Sequence, residues 1–155
     1  MNEAYALLFL RALIEVPVSL FLAVTLAGYL YSLKESIHVF ALAVISIFII
    51  KILPIKFGTH TILSILVLVG YMVFFFKINF NRSIYGALIS MIALILSEWI
   101  TLGPLLFISG RQMTEIVNDP VTRFLFGLPS LLLLYIFAWF ANYRLKKRLK
   151  RNNAL

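Results

Sequence analysis

The predicted fold class is all-α: a polytopic bundle of transmembrane helices, about five spans with room for a sixth. Three observations predict it. Of the 155 residues, 63% are hydrophobic and 13% charged, whereas soluble domains are nearer half apolar and a quarter charged. Apolar runs of the length that crosses a bilayer, roughly 20 residues, recur along the whole chain. The last run ends in Trp139 and Tyr143 and then in six cations within eight residues: Arg144, Lys146, Lys147, Arg148, Lys150 and Arg151. Such a cluster beside a span resists translocation, so this end is expected in the cytoplasm. Residues 1–143 form the expected transmembrane domain and 144–155 its basic tail.

The first span is expected over 4–31. It carries Arg11 and Glu15, four apart and therefore on one helix face, and Pro17, which removes a backbone donor near them. Ser32 with Glu35 fits a capping box that opens a second span over 33–53. Pro54 and Gly58 break the chain there, and Thr59 is the expected cap of a third span reaching Phe76. Asn81 or Ser83 caps the fourth, which either ends at Trp99 or bends at Gly103-Pro104 and continues to Ser109. The stretch 102–108 is the candidate for a sixth, re-entrant element. Residues 111–119 are the one stretch polar enough for a true loop. Asp119-Pro120 is a good helix start, an acidic cap followed by proline, and opens the last span, with a kink expected near Gly127 and Pro129.

Five spans and a cytoplasmic C-terminus put the N-terminus outside. Lys34, Lys77, Arg82 and the tail then fall inside, against Lys51, Lys56, Arg111 and Arg123 outside, which is the expected bias. The start, MNEAYALLFLRAL, has an acid where a signal peptide carries cations, so the first span is expected to be retained.

The formal net charge of +8 does not call for nucleic acid. Six of the fourteen cations sit in the tail, where anionic lipid headgroups account for them. The bilayer is the first expected partner. With no cysteine, disulfides, thiol catalysis and thiolate metal sites are excluded. HExxH, nucleophile-elbow and P-loop patterns are absent, and six acids leave little for acid–base work. No enzyme, no cofactor and no metal are expected. His38 and His60 fall at opposite ends of the bundle and cannot share an ion.

Ionisable groups in a bilayer are costly, so each needs a reason. Arg11, Glu15, Glu98, Lys56, His60 and Arg111 collect toward the outer side and are the candidate ligand-binding residues. The plainer reading pairs Arg11 with Glu15, pairs Glu98 with a cation of the following loop, and lets the lysines snorkel. Ala23 with Ala27, and Gly86 with Ser90, are small-xxx-small pairs that permit close helix approach, hence candidate contacts with partner helices.

The segment KILPIKFGTHTIL at 51–63 holds Leu53, Pro54, Phe57, Gly58 and His60; Phe76, Lys77 and Glu98 follow. This pattern resembles the membrane-spanning sensor region of accessory-gene-regulator-like histidine kinases of Firmicutes, whose cytoplasmic half is a GHKL-type ATPase. The resemblance implies an outward sensor of a peptide or small molecule. It also implies that the basic helix at 143–150 is the exit toward an output, which these 155 residues do not contain. A histidine kinase, another membrane protein or a second copy of the chain is then the expected partner. A second resemblance rests on Ala23-Val-Thr-Leu-Ala27. It is similar to the docking motif of substrate-binding subunits of energy-coupling-factor transporters, although those subunits have six spans. A membrane scaffold acting only through helix contacts is the third reading.

Overall fold

The computed structural model describes residues 3–30, 33–53, 58–110 and 113–152. They form six helices: α1 (Glu3–Leu26), α2 (Leu33–Ile52), α3 (Thr59–Phe74), α4 (Phe80–Ser109), α5 (Met113–Asn118) and α6 (Pro120–Asn152). No strand occurs among the described residues. Three helices, α1, α4 and α6, are long and apolar enough to cross a membrane; α2 and α3 are shorter apolar helices. The molecule is thus a helical bundle of membrane-protein character.

The helix ends follow from local chemistry. α1 stops at Leu26, short of the expected Tyr31, because Gly28 takes φ 89°. Its neighbour Tyr29 donates back to the Val24 carbonyl at 3.2 Å, closing the last turn. Ser32 and the side chain of Glu35 lie outside the described residues, so the capping box expected there is not described. α3 begins after Gly58 at φ 98°, and Thr59 is its first helical residue rather than its cap. α4 is capped by Asn79, whose side chain accepts from the Asn81 N–H at 3.1 Å. The expected caps lie inside the helix, and Ser83 donates to the Asn79 carbonyl at 3.1 Å. Asp119 caps α6 as expected, accepting from the N–H groups of Val121 and Thr122 at 3.2 Å each.

Of the two readings of the fourth span the structure has the longer one, and the expected loop is corrected over 113–118. α4 runs unbroken through Gly103 and Pro104 to Ser109, about 45 Å long at 1.5 Å per residue, so residues 102–108 are its continuation and not a separate element. Residues 113–118, expected as loop, form the short helix α5, which buries Ile116. α6 likewise carries on through the basic tail to Asn152, about 50 Å in all.

The core lies where α1, α4 and α6 meet. Many side chains there are small: Ala12, Ala23, Ser90, Ser97, Ser130 and Ala138 are fully buried, beside the larger Leu20 and Leu134. Small residues suit an apolar bundle because lipid supplies no hydrophobic drive between helices, and close backbone approach gains dispersion contact instead. The closest approach is at Gly86, where an added Cβ would sit 2.4 Å from the Ala23 carbonyl oxygen. Next to it Ser90 donates to the Ser19 carbonyl at 2.8 Å. Residue numbers rise along α1 as their partners fall along α4, so the two helices are antiparallel. α2 and α3 close the other side of α1 and α4, with Leu68 and Met72 fully buried. The large side chains Leu66, Phe74, Tyr85, Trp99 and Phe107 face outward, as lipid contact requires.

Candidate functional site

One cluster of charge lies inside this apolar bundle. Glu15 stands about 18 Å along α1, near its midpoint, with only 8% of its surface exposed. Its two carboxylate oxygens are both engaged. Oε2 accepts from Arg11 Nε at 3.1 Å, one helical turn back, and Oε1 accepts from Lys51 Nζ at 2.7 Å, from the last turn of α2. Arg11 Nη2 in turn donates to Glu98 Oε1 on α4. Two cations and two acids thus form a neutral chain across three helices. In a low dielectric each of these attractions is far stronger than in water, and each charge would be costly alone.

A fourth helix touches the cluster. A Cβ placed on Gly127 of α6 would lie 3.1 Å from Arg11 Nη1 and 3.3 Å from its Cζ. The missing side chain is what lets the guanidinium rest against the α6 backbone. α4 runs antiparallel to α1 and ends at Ser109, shortly before Pro120 opens α6, so α1 and α6 begin at the same end of the bundle. Ser130, one turn on, is buried and donates to the Gly127 carbonyl at 2.7 Å.

The cluster is partly open. The Glu98 side chain is 30% exposed and that of Lys51 24%, against 10% for Glu15. His60 stands at the same end, at the start of α3, with Nδ1 2.8 Å from the Ile50 carbonyl oxygen. As a hydrogen bond this contact has Nδ1 donating, and it ties the first turn of α3 to the last turn of α2 without reaching the ion pairs.

Of the candidate ligand-binding residues, Arg11, Glu15 and Glu98 come together. His60 shares their end of the bundle but bonds backbone. Lys56 and Arg111 lie outside the described residues. Glu98 pairs with Arg11 of α1, and Lys51 turns inward to Glu15 instead of snorkelling. Two members of the site were not singled out from sequence. Lys51 is the one cation in the apolar part of α2, and Gly127 precedes Pro129 by two residues; both signals were present. The pairs Ala23/Ala27 and Gly86/Ser90 are all buried within the chain, where Ala23 and Gly86 meet each other. The six tail cations lie on the last two turns and more of α6. Among the described residues no three His, Asp or Glu side chains stand close enough to hold a metal ion.

No protein-family model, curated protein or solved structure matches this chain.

Proposed function

We propose that this chain is a non-enzymatic, five-span plasma-membrane protein that receives a signal or serves as an accessory membrane module, its N-terminus outside and its C-terminus cytoplasmic. One observation carries the reading: the Arg11–Glu98 pair rests on α6 at Gly127. From there α6 is a single helix leading to the basic segment at 144–151. A ligand carboxylate that replaced Glu98 on Arg11 would release α4 and move the guanidinium against α6. A ligand cation could likewise displace Lys51 from Glu15. Input and output would then be the two ends of one helix. A peptide or small molecule bearing such a group is the expected ligand.

A scaffold role is the second reading, and it is favoured by the complete mutual pairing of the four charges, which leaves none requiring a ligand. The transporter-subunit reading needs Ala23 and Ala27 on an open surface, and both are buried here.

The test is crosslinking of the tagged protein in native membranes, followed by identification of partners by mass spectrometry. Recovery of a histidine kinase or a peptide-processing membrane protein supports the signalling reading. Recovery of a coupling subunit with its ATPases replaces it with transport. The scaffold reading predicts that Glu15→Gln and Glu98→Gln, made separately, leave partner recovery and output intact; the signalling reading predicts loss with at least one.

A further inference from the structure

The bundle-facing side of α6 reads Gly127, Leu131, Leu134 and Ala138, all buried. At 100° per residue that line continues through Leu145. The opposite side carries Ile136, Phe137, Phe140 and Tyr143, each about half exposed. Beyond them Lys147 and Arg151 continue that same line, with Arg144 and Arg148 on one flank of it. Phe140, Tyr143 and these four cations border one open depression on the α6 surface. Lys146 and Lys150 are not part of it; their line lies about 100° round the helix from that of Lys147 and Arg151.

Three features of the depression point to its occupant. The Arg144 guanidinium lies over the Phe140 ring, 5.0 Å from its centroid, which holds the first cation down at the end of the apolar stripe. Trp139 and Tyr143 stack with centroids 6.1 Å apart, and paired aromatics of this kind mark a membrane–water boundary. α6 contains no Asp or Glu, so nothing within it neutralises the four cations. An aromatic and aliphatic strip followed on the same face by cations matches a molecule with apolar chains and an anionic head. We infer that this face of α6 is a binding site for an anionic phospholipid. Its acyl chains lie along Ile136, Phe137 and Phe140, and its phosphate sits among Arg144, Lys147 and Arg148, with Arg151 reaching a headgroup charge beyond. Arginine suits the phosphate because its planar fork donates two parallel hydrogen bonds.

The inference does not depend on the signalling reading or on which side of the membrane the C-terminus lies. It differs from general attraction of a basic tail to an anionic surface, because it assigns the binding to one face. The test uses the full-length protein in phosphatidylcholine nanodiscs, titrated with a fluorescent phosphatidylglycerol and, separately, with the same fluorophore on phosphatidylcholine. Two charge-matched double variants are compared: Lys147→Gln with Arg151→Gln, and Lys146→Gln with Lys150→Gln. The expected result is preference for phosphatidylglycerol in the parent protein. The first variant should lose about thirty-fold in affinity, at about one kcal/mol per cation near the surface, and the second less than about threefold. Equal losses in both variants would mean diffuse electrostatics and overturn the site. Absence of any preference for the anionic lipid would overturn it as well. So would a first variant that keeps its lipid affinity but loses a co-purifying acidic protein. All four positions are solvent-exposed, and unchanged helicity and elution volume establish that the variants are folded.

Discussion

Glu15 is the residue on which the charged cluster depends, because among the described residues it is the acid that contacts two cations. Replacing it by Gln leaves Arg11 with Glu98 but strands Lys51 in an apolar bundle. Removing one partner of a fully buried pair costs about 3–5 kcal/mol; Lys51 is partly exposed, so Glu15→Gln is expected to cost less than that and still to lower the thermal unfolding midpoint of the detergent-solubilised protein. Glu98→Gln should cost much less, about 1 kcal/mol, since Glu98 is partly exposed and its partner keeps Glu15. A larger loss for Glu98→Gln than for Glu15→Gln would contradict the arrangement. Gly127→Ala tests the α6 contact separately. The neighbour a Cβ would meet is the end of a flexible arginine, so the fold should tolerate it within about 1 kcal/mol. Part of this site is legible in the sequence. The spacing of Arg11 and Glu15 on one apolar helix announces their pairing. The partners Lys51 and Glu98 are not legible, since they depend on how three helices are rotated about their own axes, which periodicity does not report in helices apolar on every side.

The interface between α1 and α4 is built on absence of side chain. Gly86 admits the Ala23 carbonyl, and Ser83, Ser90 and Ser97, spaced by sevens, keep α4 small along its buried seam. Gly86→Ala forces the helices apart and is expected to cost about 1–3 kcal/mol, read as a lower unfolding midpoint. Ser90→Ala removes only the bond to the Ser19 carbonyl and should cost about 0.6 kcal/mol. An equal effect of the two would show that hydrogen bonding, not close approach, holds the pair. At the α3–α4 turn Lys77 adopts φ 54°, a conformation that costs a non-glycine residue about 1 kcal/mol. Lys77→Gly is therefore expected to stabilise the protein slightly, by up to about 1 kcal/mol. The breaks at Gly58 and Asp119 were readable because those residues act locally, whereas the stop at Gly28 and the cap at Asn79 were not read. The continuity of α6 across Pro129 was expected, with a kink, and that of α4 across Gly103-Pro104 was one of two readings the sequence left open. A proline inside a helix can bend it or end it, and packing of the surrounding turns decides which.

At the scale of the whole molecule, composition announced an apolar helical bundle, and the structure has one. Composition is a sum over the chain and survives errors in any single element. The number of crossings is a different kind of quantity. α1, α4 and α6 have the length and apolarity for it, and α2 and α3 are shorter. The five-span reading rests on the antiparallel run of α1 against α4, on α1 and α6 starting at one end, and on the charge bias of the loops. It makes the charged cluster an outward-facing feature and the basic end of α6 a cytoplasmic one, which the functional proposal requires. The most direct check exploits the absence of cysteine. Single cysteines are introduced at Asn2 and, in a second protein, at Asn152, and intact cells are treated with a membrane-impermeant thiol reagent. The account predicts labelling at position 2 and none at position 152 until the cells are permeabilised. Labelling of both or of neither in intact cells would mean an even number of crossings and contradict it.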